Sequence, residues 1–233
     1  MNTTVPSWSF SKLKDFETCK QMFALKHLHK IPEPERVLKP GQTEFANDRG
    51  TRIHEECELF IDGTYDDLCP EAAKYFPDFF SLLRAMHKDG LVIQEHEWGH
   101  DRDWEIADWK SAWLRLKLDA MVRLSPTEAW VLDWKTGRKY GNEISHMRQL
   151  QLYTVATFLR FPELEKVTAE LIYIDQGEST AVTMTRQQGL RFKQNFHNLG
   201  LAATSCEVFP PNPNKYSCQW CPYKNTEHCT VGV

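Results

Sequence analysis

Apolar residues recur at helical spacing over Ser9–Lys30, where Leu13, Phe16, Met22, Phe23 and Leu25 follow a serine-rich start suited to capping, and this predicts one helix. Pro32, Pro34, Pro40 and Gly41 end it. A second helix is expected from about Asp48 to Ile61, with Ile53, Cys57, Phe60 and Ile61 as its apolar stripe and Gly63 just beyond its end. A third is expected within Glu71–Lys88, carrying Phe76, Phe79, Phe80, Leu82, Leu83 and Met86. After Gly90 the period falls to two. Leu91–Trp98 alternates, and so does Trp113–Arg123, where Leu114, Leu116, Leu118, Ala120 and Val122 share one face and Arg115, Lys117, Asp119 and Arg123 the other. The Ser125-Pro126-Thr127-Glu128 turn leads into Ala129–Lys135, its expected hairpin partner. Ser145–Arg160 then reads as a helix, Val167–Asp175 and Thr180–Thr185 as strands across Gln176-Gly177, and Arg186–Ala203 as a last helix. Helices before and after a run of strands, with one long helix inserted, predict an α/β or α+β layer fold.

Composition narrows the class. With 41% hydrophobic and 26% charged residues, the 233-residue chain is far from the profile of a disordered one, and it is long enough for a sizeable core. No apolar run approaches the ~20 residues of a membrane helix, and the start Met1-Asn2-Thr3-Thr4-Val5-Pro6 has no basic, greasy leader. The expected setting is therefore the reducing cytoplasm, without membrane association. Seven cysteines there argue against a disulfide framework. Three of them, Cys218, Cys221 and Cys229, crowd into the last sixteen residues. The net charge of −4 is unevenly spread: residues 1–40 carry +3, residues 41–110 carry −10 and residues 111–233 carry +3. Local fields decide where phosphate docks, so the acidic total does not exclude a polyanion partner.

Candidate chemistry centres on the expected hairpin. Period two places Asp133 and Lys135 on one strand face, and pairing through the Pro126 turn brings Asp119 to the same side. Two carboxylates with open coordination suit a hard divalent cation such as Mg²⁺, and a neighbouring ammonium suits a phosphate transition state. Taken alone, D-x-K on a strand is most often an exposed ion pair. In the tail, C-x₂-C followed by a third cysteine gathers soft thiolates, which suit zinc or an iron–sulfur cluster.

Six ordered blocks together resemble the PD-(D/E)XK nucleases, specifically the RecB/AddB-type branch that includes the CRISPR-adaptation exonuclease and phage recombination exonucleases. The blocks are Ser9-Phe10-Ser11-Lys12-Leu13 with Phe16, Cys19 and Phe23; Gly50-Thr51-Arg52-Ile53-His54-Glu55; Leu118-Asp119; Val131-Leu132-Asp133-Trp134-Lys135-Thr136-Gly137; Gln149-Leu150-Gln151-Leu152-Tyr153; and Cys218-Gln219-Trp220-Cys221-Pro222-Tyr223 with Cys229. The resemblance implies a single nuclease domain over residues 1–233 with a restriction-endonuclease-like core, a central mixed β-sheet flanked by helices. Residues 1–40 and 206–233 would together form a cysteine-clasped N-/C-terminal subdomain. It implies that Asp119, Asp133, His54 and the Trp134 backbone carbonyl hold Mg²⁺ or Mn²⁺, that Lys135 is the catalytic lysine, and that Gln149 and Tyr153 support the site and contact DNA. Cys19, Cys218, Cys221 and Cys229 would hold a [4Fe–4S] cluster, with Zn²⁺ as the alternative and His228 as a further zinc ligand.

Lys117, Arg138, Lys139 and Arg148, with Lys12, Lys14, Lys20, Lys26 and Lys30, are the candidate DNA-binding cations. Glu95 and Glu97 could add acids to the site. The sequence departs from the family pattern at Lys117, where glycine is common, at Lys20, where proline follows the first cysteine, and in the seven residues between Cys221 and Cys229. No G-x-x-x-x-G-K loop occurs, so a helicase would have to be a separate partner. The implied activity is a Mg²⁺- or Mn²⁺-dependent exonuclease on single-stranded DNA or DNA ends in recombination, repair or processing. The alternative is a catalytically weak DNA-binding or recombination accessory module with the same clasp. By analogy the compact chain fits a phage- or plasmid-encoded enzyme.

Overall fold

The computed structural model describes residues 3–38, 40–137 and 139–233, with Glu95 and His96 described by their backbone alone. Two compact units emerge, one of residues 1–37, 99–115 and 194–233 and one of residues 38–98 and 116–193.

The second unit carries most of the sheet. Helix α3 (Ala46–Asp62) ends at Gly63, whose φ of 88° is the left-handed cap that a glycine supplies without strain. Helices α4 (Pro70–Ala73) and α5 (Pro77–Lys88) follow. The single helix expected over Glu71–Lys88 is therefore interrupted: Pro77 forces Phe76 out of helical geometry, to φ −130°, and restarts the helix at its own first turn. Strands β3 (Leu114–Arg123) and β4 (Glu128–Lys135) form the expected antiparallel hairpin, with Ala120 opposite Leu132. The long helix α6 (Glu143–Arg160) then crosses over and returns the chain as β5 (Lys166–Tyr173), parallel to β4 with Asp133 opposite Leu171 and Lys135 opposite Tyr173. Strand β6 (Glu178–Thr185) closes the edge, antiparallel to β5. With β1 (Val92–His100) beside β3, the order is β1-β3-β4-β5-β6, the central mixed sheet expected for the family.

Alternation sorts the side chains of the hairpin. Ala120, Val122, Leu132 and Trp134 join Ile53, Cys57, Phe60 and Ile61 of α3 and Phe80 and Leu83 of α5 in one apolar core. Asp119, Asp133 and Lys135 belong to the opposite face, where Gln149 and Tyr153 of α6 meet Asp133. Beyond these side chains the opposite face is apolar too, with Met121, Val131 and Leu171 buried, so burial on both faces secures the strands.

The first unit is built differently. Here α1 (Phe10–Thr18) and α2 (Lys20–Phe23), continued by a π turn at Ala24–Leu28, replace the unbroken Ser9–Lys30 helix. The break falls on Cys19, whose backbone is extended (φ −161°, ψ 115°) while its N–H still donates to Asp15. Its core is a tryptophan cluster in which Trp8 packs edge-on against Trp113 and Trp104, and the Trp113 indole donates to Thr204 at 2.9 Å. Short β2 (Ile106–Ala107) pairs with the end of β1 at Gly99 and His100. The expected last helix is also divided, into α7 (Arg186–Leu190), in the second unit, and α8 (Lys193–Thr204). A final turn, α9 (Lys215–Cys218), is capped by Asn214.

Candidate active site and cysteine cluster

Strand pairing and α6 bring the hairpin acids together. Both carboxylates are buried, Asp119 at 7% and Asp133 at 3% exposure. Asp119 accepts the Trp134 backbone N–H at 2.7 Å through Oδ2 and lies 3.0 Å from His54 Nδ1 through Oδ1. Burial and the neighbouring Asp133 charge hold the Asp119 carboxyl above the usual range, against the pull of His54 and Lys135. Asp133 Oδ1 accepts from Gln149 Nε2 at 3.2 Å and lies 3.1 Å from the Tyr153 hydroxyl. That phenol also accepts from Gln149 at 2.6 Å and lies 3.1 Å from the Lys117 carbonyl, so its one proton serves either oxygen but not both. Burial first, and then the two aspartates, push the Tyr153 phenol far above its ordinary value, which keeps it a neutral donor.

The buried Asp133 Oδ2 faces the Lys135 ammonium at 2.5 Å, a charge-assisted hydrogen bond. Burial alone would discharge Lys135; the charges of Asp133 and Asp119 outweigh it and raise its pKa. His54 follows the same logic. Burial opposes its protonation, and Asp119 more than restores it.

Helix α3 is fixed where His54 can meet Asp119. Arg49 forks onto Asp175 at 2.8 and 3.0 Å, and Arg52 bonds Glu44, Glu56 and Glu71. At Gly50 a Cβ would stand 3.0 Å from Thr136 Oγ1, so glycine permits the close approach of α3 to the end of β4. An open groove of about 770 Å³ runs along α3, lined by Gly50, Thr51, His54, Glu55, Glu58, Lys117, Asp119 and Thr136.

The groove also holds Thr136, Glu55 and Glu58, none of them assigned a role from sequence. Glu55 and Thr136 lie within the blocks that resemble the family, and Glu58 stands one helical turn beyond His54. Nor was Tyr173 assigned one; it pairs with Lys135 across the sheet, and its hydroxyl lies 3.0 Å from His146.

The candidate cations fare unevenly. Lys117 lines the groove. Lys139 is held by Glu178 at 2.7 Å, and Lys26 lies within 3.6 Å of Asp15 and Glu33. Lys12 donates to the Ser7 carbonyl and hydroxyl at 3.1 and 3.2 Å, and its burial lowers its pKa. Lys12, Lys26 and Lys139 are thus engaged locally. Arg148 lies half-buried on α6, whereas Arg138 and the Glu95 side chain lie outside the described residues; Glu97 is exposed.

In the first unit Cys19, Cys218, Cys221 and Cys229 line one small cavity together with Met22, Lys224 and Gly232. The tail is stapled to the N-terminal helices by side chains. Gln21 Nε2 donates to His228 O at 2.9 Å, Asn212 to Thr18 O at 3.0 Å, and the Tyr223 hydroxyl to Ile31 O at 2.7 Å. Burial raises the Cys221 thiol, and the other three cysteines raise it further; a bound cation would relieve that mutual repulsion. The Cys218 thiol is lowered by backbone N–H groups of Val233 and Asn214. Among the described residues, no helix is long and apolar enough to cross a membrane.

A family model of the PD-(D/E)XK nuclease superfamily matches residues 7–226. None of the curated proteins compared matches the chain. Among solved structures, that of SSO0001 is 14% identical, with 98% of this chain and 88% of that one covered at a TM-score of 0.47. The "Putative exonuclease" of Eubacterium rectale is 11% identical, with 95% and 89% covered at a TM-score of 0.49. Neither likeness reaches a TM-score of 0.5, and the family assignment rests on the sequence match.

Proposed function

The chain belongs to the PD-(D/E)XK nuclease superfamily, and from that membership we propose that it is a divalent-metal-dependent deoxyribonuclease of the RecB/AddB branch, working as an exonuclease on DNA ends. The observation that carries this reading is the pair of buried carboxylates Asp119 and Asp133 with the half-buried Lys135 on two paired strands, His54 on Asp119 and a groove opening beside Asp119.

The residues fit a hard cation. Two buried carboxylates repel each other, and a divalent cation held by both would offset that repulsion. Asp119, Asp133, His54 and the Trp134 carbonyl would hold Mg²⁺ or Mn²⁺, which when bound polarises a phosphate oxygen and eases deprotonation of water. Lys135 stays protonated and offsets the negative charge that builds on the phosphate as water adds and the P–O ester bond breaks. Tyr153 and Gln149 fix the orientation of Asp133, and His54 that of Asp119. Lys117, which lines the groove beside Asp119, is the cation placed to meet the DNA backbone.

The four-cysteine cavity fits a thiolate-bound group, and the reading assigns it a [4Fe–4S] cluster, with zinc as the competing occupant; either would clasp the N-terminal helices to the tail. A helicase or recombination protein is the natural partner for an enzyme acting on ends.

The experiment is a time course on end-labelled linear and circular DNA with Mg²⁺, Mn²⁺ or EDTA. Metal-dependent loss of the linear form with the circle spared is expected. Absence of metal-dependent degradation on both single- and double-stranded DNA would overturn the reading in favour of an accessory DNA-binding module.

A further inference from the structure

Between β4 and α6 the chain makes a turn over residues 139–142, shortly after Lys135. The Asn142 N–H donates to the Lys139 carbonyl at 3.1 Å, and Gly141, at φ 86°, fills the position of a type II turn that favours glycine. The Gly141 N–H donates in turn to Glu143 Oε2 at 2.7 Å. Tyr140 therefore stands at the outer corner of the turn, where it is 70% exposed.

Single exposed apolar side chains are common on any protein, but Tyr140 is mounted in a particular way. Its hydroxyl donates to Glu178 Oε1 at 3.4 Å, while Glu178 Oε2 takes the Lys139 ammonium at 2.7 Å. That ammonium stands 5.2 Å from the centre of the Tyr173 ring. Held at its tip and through its backbone, the Tyr140 ring is kept in place with most of its surface open. Glu178 also ties the turn to the candidate active site. Lys135, Tyr173 and Glu178 are successive partners across β4, β5 and β6, so Glu178 lies two strand spacings, roughly 10 Å, from Lys135.

We propose that Tyr140 is a stacking contact for a nucleobase of unpaired DNA, a few nucleotides from the phosphate that meets Lys135. This rests on the nuclease reading and deepens it by naming the form of strand that the site takes. The surroundings select the ligand. Glu178 neutralises Lys139, so the turn offers a π surface and little free charge, which fits a base and not a phosphate. Every base has a face that can stack on an aromatic ring, but in a duplex both faces are covered by neighbours, so the contact favours an unpaired strand. At a rise of about 3.4 Å per stacked nucleotide, a span of roughly 10 Å corresponds to about three nucleotides.

The test measures DNA binding by the full-length chain with Ca²⁺ in place of Mg²⁺. Tyr140→Ala should bind a labelled single strand about 5- to 100-fold more weakly than the wild type and a blunt duplex within about twofold of it. Tyr140→Phe keeps the ring and should bind the single strand within about twofold of the wild type. Both variants should melt within about 2 °C of the wild type, because the side chain is exposed. One abasic position moved along the strand should weaken the wild type most at about three nucleotides from the bond cut once Mg²⁺ is restored, and Tyr140→Ala should show no such position. Equal single-strand affinities in wild type and Tyr140→Ala would overturn the inference and leave the nuclease reading standing. An equal loss in Tyr140→Phe, or an equal loss on the blunt duplex, would overturn it as well. Weakened single-strand binding by Tyr140→Ala, in a wild type that degrades no DNA with any metal, would keep the stacking contact and overturn the nuclease reading instead.

Discussion

Asp119, Asp133 and Lys135 stand on strands that pair and pack independently of them, whereas Cys19, Cys218, Cys221 and Cys229 are joined by segments with little regular structure of their own. The hairpin is secured on its other face by Ala120, Val122, Leu132 and Trp134 against α3 and α5. Around the tail cysteines the structure offers a four-residue helix, turns, and bonds such as Gln21 to His228 and Tyr223 to Ile31. On the proposed function, the scaffold of the hairpin region would hold the metal ligands, and binding would spend little on ordering the chain. In the tail region the ligands would hold the scaffold, and binding and local folding would be one equilibrium. Activity and stability should therefore separate between the two regions.

The sharpest way to break this contrast is to remove charge from the hairpin. Asp133→Asn keeps the volume and removes one of two repelling buried carboxylates, so the melting temperature should hold or rise slightly. Activity should fall by on the order of 10³-fold, and Lys135→Ala should lose a comparable factor. Nuclease assays alongside thermal melts read both quantities. A variant that loses stability and activity together would show that the acids are structural, and undiminished activity would remove the proposed mechanism.

The opposite pattern is expected in the first unit. Cys218→Ser or Cys19→Ser should release the bound cluster or zinc and lower the melting temperature by more than about 5 °C, an effect of a few kcal/mol at this chain length. Iron and zinc analysis on the same samples identifies the occupant, and a brown protein would favour the iron–sulfur cluster. Unchanged melting with the metal gone would mean that the staples alone hold the tail.

How far the sequence could disclose these two regions follows from their construction. The hairpin was legible because Leu114–Val122 alternates cleanly and Ser125–Glu128 signals a turn, so Asp119, Asp133 and Lys135 could be placed on one face before any coordinates. α3 was legible because its stripe is regular and Gly63 marks its end. The interruption at Cys19 was hidden, since the apolar spacing of Leu13 to Leu25 runs straight through it and only the extended backbone reveals the break. Local pattern also failed at Lys139, whose partner Glu178 lies 39 residues away, and at Arg49, whose partner Asp175 lies 126 residues away. Pairings of that range depend on sheet register, which periodicity does not encode.

A smaller effect is expected where α6 supports the acids. Tyr153→Phe removes one hydroxyl near Asp133 Oδ1 and the Lys117 carbonyl, and Gln149→Ala removes the donor to both Asp133 and Tyr153. Each should cost about 10- to 100-fold in activity, chiefly in turnover at saturating Mg²⁺, if these side chains orient a ligand and do not themselves bind DNA. A change confined to DNA affinity would assign them to the substrate instead.

The mildest prediction has opposite signs for its two readouts. Gly50 lies inside α3, and replacing a helix-interior glycine by alanine ordinarily stabilises by roughly 0.5–1 kcal/mol. Its added Cβ would meet the Thr136 hydroxyl at 3.0 Å, a contact relieved only by a shift of a few tenths of an ångström at the end of β4, one residue beyond Lys135. Gly50→Ala should therefore melt within about 2 °C of the wild type, yet turn over several-fold more slowly, because small displacements of a reacting group are costly in rate. Thr136→Ser keeps the hydroxyl and removes only the methyl group, so it should not rescue Gly50→Ala, whereas Thr136→Ala removes the clashing oxygen and should. Rescue by serine, or a loss of stability without loss of turnover, would show that the approach of α3 to β4 is a packing constraint with no bearing on the position of Lys135.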